Sequence, residues 1–169
     1  MKMFSVSVGK ELLHFTAAHF IAFKGFREPL HGHTYHVGVT VGGPVSADGY
    51  VVDFLHLKKI ATEEISRLHF MTLVPGQSDC LEVHVDADVV RIVCEDGSTF
   101  SLPRSDVRLL PIVHTSSEEI AAHLVDRIRK CLATPPMNNI DRIEIQVEDI
   151  PGQVAVCRWR GSVSGDDET

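Results

Sequence analysis

The chain has 169 residues, of which 44% are hydrophobic and 23% charged, and carries a net charge of −7. That length supports one domain with a real core, and the composition is that of a folded globular chain. The acidic balance and the lack of a basic stripe argue against a nucleic-acid partner. No apolar run approaches the roughly 20 residues of a membrane span, and the first residues lack the apolar region of a signal peptide. Cys80, Cys94, Cys131 and Cys157 are scattered with no CxxC pair. They predict free thiols in a reducing, cytoplasmic setting.

In chain order, residues 4–15 read as a first strand, with a possible bulge at Gly9-Lys10-Glu11. Residues 16–30 form a long connection rich in Phe20, Phe23 and Phe26, of a length that is often functional. Residues 33–42 alternate as a second strand, and Gly42-Gly43-Pro44 ends it. Leu57, Ile60, Ala61, Ile65 and Leu68 repeat at helical spacing and predict a helix over 55–68. Three short strand-like runs, separated by turn-like acidic stretches, predict a hairpin or three-stranded insertion over 79–103. The Ser/Thr-x-x-Glu pattern at Thr115–Glu119 starts a helix over 117–132, and Pro135-Pro136 closes that region. Ile140–Glu148 and Val154–Arg160 are the last strands. The result is an α+β fold: a mostly antiparallel sheet with two helices on one face and a small β insertion. One domain covers 1–161, followed by an acidic tail, 162–169, expected to be disordered.

The densest chemistry lies in Glu28-Pro29-Leu30-His31-Gly32-His33. Residues i and i+2 of a strand share a face, so His31 and His33 present two imidazoles side by side. His19 is a third, in an apolar setting where an unpartnered imidazole is costly. Three imidazoles with an open position suit zinc. His14, His36, His56, His84 and His123 have no comparable setting, and His36 should point away from the metal face. Glu28 reads either as an ordinary loop carboxylate or as a general base beside the metal. Glu148 reads either as an exposed strand end or as a carboxylate that anchors adjacent N–H donors.

Phe15-Thr16-Ala17-Ala18-His19, His31-Gly32-His33-Thr34-Tyr35, Gly49–Lys58, Thr115–Glu119 and Val147-Glu148 occur together and in order. In this the chain resembles the 6-pyruvoyltetrahydropterin synthase family, which includes 6-carboxytetrahydropterin synthases. The resemblance implies a T-fold and a dimer of trimers with active sites between subunits. It implies that His19, His31 and His33 bind Zn²⁺. It implies that Glu148, helped by Thr115 and Ser116, grips the pterin of 7,8-dihydroneopterin triphosphate.

Two departures from the family pattern stand out. The family's catalytic cysteine before His-Gly-His is missing, and Glu28 is the only acid in residues 20–30. That resembles the type III branch, a lyase that makes 6-hydroxymethyl-7,8-dihydropterin for folate synthesis. Glu28 is then expected to take a hydroxyl proton in a retro-aldol cleavage. The alternatives are a synthase that eliminates triphosphate and a pterin-binding protein without turnover. The family's Leu-Asp-His reads Leu68-His69 here, without the aspartate. His69 is either the proton donor or a helix-end histidine.

Overall fold

The computed structural model describes residues 3–133 and 139–161. Strands β1 (Phe4–Val8) and β2 (His14–His19) lie along one edge of the 13-residue β5 (His31–Gly43). Between β2 and β5 comes a small hairpin, β3 (Ala22–Phe23) and β4 (Phe26–Arg27). Helix α1 (Phe54–Ser66) is followed by β6 (Met71–Pro75). The strands β7 (Leu81–Val85), β8 (Val89–Cys94) and β9 (Thr99–Pro103) form a separate antiparallel sheet. After β10 (Val107–Leu110) come helix α2 (Ser117–Leu132), β11 (Arg142–Ile150) and β12 (Gln153–Arg160). The main sheet runs β10-β6-β2-β5-β11-β12, with β1 also on β5.

Period-two burial builds the core. Phe15, Ala17 and His19 of β2, Tyr35 to Val41 at alternate positions of β5, and Ile143, Ile145 and Val147 of β11 are buried on one face. The apolar stripes of both helices cover that face, through Leu57, Ala61 and Ile65 of α1 and Ile120, Leu124 and Ile128 of α2. Asp53 caps α1 by accepting the His56 N–H at 2.8 Å, and Ser116 caps α2 by accepting the Glu119 N–H at 3.3 Å. A second apolar cluster joins Phe20 and Ala22 to Leu81, Val90, Ile92 and Val107. It ties the inserted sheet to the β2–β5 connection.

Two expectations need correction. The stretch 4–15 is not one strand: β1 and β2 are separated, and Leu12 N–H turns back to the Gly9 carbonyl. The connection 16–30 is shorter than its range suggests, because β2 runs to His19 and the β3–β4 hairpin fills its middle. The sheet is mostly antiparallel, as expected, with β6 alone running parallel to its neighbours β2 and β10. The last pair of strands is shifted by a bulge between Glu148 and Ile150. The 117–132 helix and the three-stranded form of the 79–103 insertion stand as expected. Pro135-Pro136 and the 162–169 tail lie outside the described residues. Among the described residues no helix is long and apolar enough to cross a membrane.

One buried ion pair fastens α1 to α2. Glu64, only 4% exposed, accepts Arg127 Nε at 2.7 Å and Nη2 at 3.1 Å, with Arg67 Nε at 3.4 Å. Burial alone would raise the Glu64 pKa, but the two guanidiniums outweigh it and hold the carboxyl below its usual range. Its stabilising contribution is therefore complete above the unfolded carboxyl pKa and is lost as pH falls through the depressed folded value. Arg127→Ala leaves a buried carboxylate short of its main partner and is expected to cost about 3 kcal/mol at neutral pH. Thermal melts over a pH series check this. The gap between variant and wild type should close as the solution is acidified below the ordinary carboxyl range.

Candidate active site

Register brings the three histidines together. His19 of β2 lies directly opposite His31 of β5, and His33 pairs with Ala17 on the same face. Gly32 between them allows the close approach: a Cβ there would meet the Ala17 carbonyl oxygen at 3.2 Å. One ring nitrogen from each of His19, His31 and His33 falls within 4.8 Å of the others. Their exposure is graded, with His19 buried, His33 half-buried and His31 exposed. The triad is thus anchored below and open above, where a fourth ligand would enter.

Backbone carbonyls orient the rings. His19 Nδ1 donates to the Thr115 carbonyl at 2.9 Å, and His31 Nδ1 donates to the Pro29 carbonyl at 2.8 Å. A ring that donates through Nδ1 keeps the Nε2 lone pair free, as a metal ligand requires. His19 Nε2 is buried with no partner among the described residues, an arrangement that a metal ion would satisfy. Burial pushes the His19 pKa down, and the neighbouring imidazoles add to this against the Thr115 carbonyl and Glu28. Neutral imidazole is the ligating form. Tyr35 closes the floor, with its ring 5.8 Å from His19 and 5.6 Å from His33. Burial, then Asp149 and Glu28, pushes its phenol well above the ordinary value.

Glu28 lies within electrostatic range of the triad, where its charge is the weakest of the influences on His19 and Tyr35. Its own N–H donates to the Ile21 carbonyl at 2.9 Å, and its Oε2 accepts the Ile21 N–H at 3.0 Å. That reciprocal pair closes the base of the β3–β4 hairpin. Oε1 has no hydrogen-bond partner among the described residues.

The remaining sequence candidates are placed differently. Thr115 is fully buried and its hydroxyl donates to the Phe20 carbonyl at 2.9 Å, so its proton is committed. Ser116 accepts at the α2 cap and keeps its own proton for donation. Glu148 pairs with His36 in the strand register, on the sheet face away from the triad, as expected for His36. Its carboxylate accepts the Gly152 N–H at 2.7 Å and Lys10 Nζ at 2.9 Å, and these two donors hold its pKa below the usual range. His69 lies along β2 rather than at the triad: its Nδ1 accepts the Thr16 N–H at 3.0 Å, which puts the neutral ring's proton on Nε2. Thr16 is three residues from His19, about 10 Å along a strand. Phe70 packs against the His69 ring at 4.0 Å with φ +56°, a backbone strain of about 1–2 kcal/mol for a side chain this large. The chain therefore gathers His19, His31, His33 and the Thr115 backbone, with Glu28 in electrostatic range, and leaves Glu148 and His69 apart.

Lys10, the Pro29 and Thr115 carbonyls and Asp149 were not singled out from sequence. The carbonyls carry no sequence signal, and Asp149, at the β11 bulge, accepts the Ser117 hydroxyl at 3.1 Å from 32 residues away.

Two helices on one face of this sheet, with an imidazole triad at the β2–β5 edge, make the molecule a T-fold protein. Residues 8–159 match the family model for 6-pyruvoyl tetrahydropterin synthase, and the chain belongs to that family. The crystal structure of the Plasmodium vivax 6-pyruvoyl tetrahydropterin synthase superposes with a TM-score of 0.89 at 34% identity, covering 95% of this chain and 99% of that one. The Plasmodium falciparum enzyme gives 0.85 at 36% identity over the same shares. Two further P. vivax structures are of catalytic residue mutants in which a glutamate is replaced by alanine or cysteine. A dihydroneopterin monophosphate aldolase of Pyrococcus furiosus is 41% identical over 59 residues, 35% of this chain and 50% of that protein.

Proposed function

We propose that this protein is a zinc-dependent lyase that cleaves the side chain of 7,8-dihydroneopterin triphosphate by a retro-aldol reaction. The product is 6-hydroxymethyl-7,8-dihydropterin, destined for folate synthesis. The observation that carries the reading is the Glu28 carboxylate, fixed by the Ile21 N–H within electrostatic range of His19 in a loop with no cysteine. The catalytic glutamate of the P. vivax enzyme supports a carboxylate in this role. The P. furiosus relative, an aldolase by name, supports cleavage of a carbon–carbon bond in a pterin side chain.

His19, His31 and His33 would hold the zinc. When bound, the ion supplies a Lewis acid that polarises side-chain hydroxyls. Glu28 Oε1 takes the proton of the C2′ hydroxyl. The C1′–C2′ bond breaks, C2′ becomes an aldehyde still carrying the triphosphate, and the bonding pair passes into the pterin ring. C1′ then takes a proton, and His69 Nε2–H is the donor in this chain. Glu148, ionised, and the Ser116 hydroxyl and Thr115 backbone are the pterin contacts. His69 and Glu148 lie away from the triad of their own protomer, so the complete site draws on more than one copy of the chain, in keeping with a dimer of trimers.

Mass spectrometry of the pterin product tests this, using zinc-loaded protein and 7,8-dihydroneopterin triphosphate. The hydroxymethyl product is expected. A 6-pyruvoyl product would replace the reading with triphosphate elimination, and no product from metal-replete protein would replace it with a binding role.

A further inference from the structure

We propose that the inserted β7–β9 sheet is a clamp for the general base, and that Arg27 is the positioning residue through which it acts. The inference rests on Glu28 being that base. Arg27 immediately precedes Glu28, and all three kinds of its guanidinium donors are engaged. Nη1 donates to the Glu28 carbonyl at 2.9 Å, Nε to Asp96 Oδ2 at 3.0 Å, and Nη2 to Ser98 Oγ at 3.3 Å. The same guanidinium lies 5.5 Å from the ring centroid of Phe100 in β9. Phe100 in turn stacks at 4.8 Å on the buried Phe20, two residues before Ala22, where the hairpin starts.

The insertion holds the hairpin at a second point. Glu95 Oε2 accepts the N–H of Gly25, the turn residue whose φ of +80° only glycine adopts cheaply. Asp96 is itself oriented by the Ser98 N–H at 2.9 Å. The β8–β9 turn therefore grips both the tip and the base of the hairpin that carries Glu28. A two-residue-stranded hairpin has little stability of its own, so its geometry is set by what it is fastened to. Asp96 and Ser98 lie 69 and 71 residues from Arg27 in sequence, and both meet its guanidinium.

The consequence is a division of labour. Without the clamp the hairpin still closes, but Glu28 samples positions away from the triad, and a misplacement of about 1 Å can cost up to 10²-fold in rate. Arg27→Ala and Asp96→Ala, assayed as zinc-loaded protein on 7,8-dihydroneopterin triphosphate, are expected to lower kcat about tenfold with KM within about twofold. Asp96 is 47% exposed at its side chain, so its replacement tests the clamp without disturbing the core. Asp96→Glu, which keeps the charge, should recover most of the loss. Amide hydrogen exchange gives a second readout independent of turnover: Glu28 and Ile21 N–H should exchange faster in both alanine variants. Glu28→Gln is run beside them. Loss of turnover in Glu28→Gln with wild-type kcat and unchanged exchange in Arg27→Ala and Asp96→Ala would overturn the clamp alone. Full turnover in Glu28→Gln would overturn the base, and the clamp with it.

Discussion

Glu28→Gln is expected to reduce kcat by about 10²–10⁴-fold, the usual worth of a positioned general base. The substitution is close to isosteric, and a glutamine carbonyl can still accept the Ile21 N–H that Oε2 accepts at 3.0 Å. The hairpin should therefore keep its place, and the metal content should match that of the wild type, because Glu28 is not part of the imidazole cluster. What is removed is the capacity of Oε1 to take a proton. Steady-state assays with parallel metal analysis check this. Undiminished turnover at full metal content would remove Glu28 from the base role.

The second large effect is expected from His31→Ala. His31 is the exposed member of the triad, so its loss should leave the core, and the melting temperature of the metal-free protein, nearly unchanged. Its removal leaves two imidazoles, below the three protein ligands of a catalytic zinc site. Loss of a residue that merely orients a ligand costs about 10–100-fold in metal affinity, so loss of a ligand should exceed about 100-fold. Activity should disappear with the metal. His36→Ala is the matched control: His36 is five positions further along β5, on the opposite face, and its loss should leave metal affinity unchanged. Equilibrium dialysis against zinc reads both. Equal affinity in His31→Ala and wild type would show that the triad is not the metal site.

Features set by short-range rules were readable in the chain. The two-residue spacing of His31 and His33 put both on one strand face, and the Ser/Thr-x-x-Glu pattern located the start of α2. The three insertion strands were separated by turn residues at regular intervals. Long-range placement was not readable. Strands β6 and β10 are five and four residues long and pair in parallel, which leaves no hairpin turn to mark them. The bond from the Thr115 hydroxyl to the Phe20 carbonyl spans 95 residues and leaves no local signal in the sequence. The Arg27–Asp96 contact joins residues whose sequence distance conceals it.

The distinction at the centre of this account is which bond of the substrate breaks, and the phosphate-bearing half of the products records it. Retro-aldol cleavage leaves all three phosphates esterified to a two-carbon aldehyde, whereas elimination releases inorganic triphosphate. Phosphorus NMR of a reaction of zinc-loaded protein with 7,8-dihydroneopterin triphosphate separates the two. A triphosphate ester signal that forms in step with substrate loss is the predicted result, and inorganic triphosphate as the phosphorus product would contradict it.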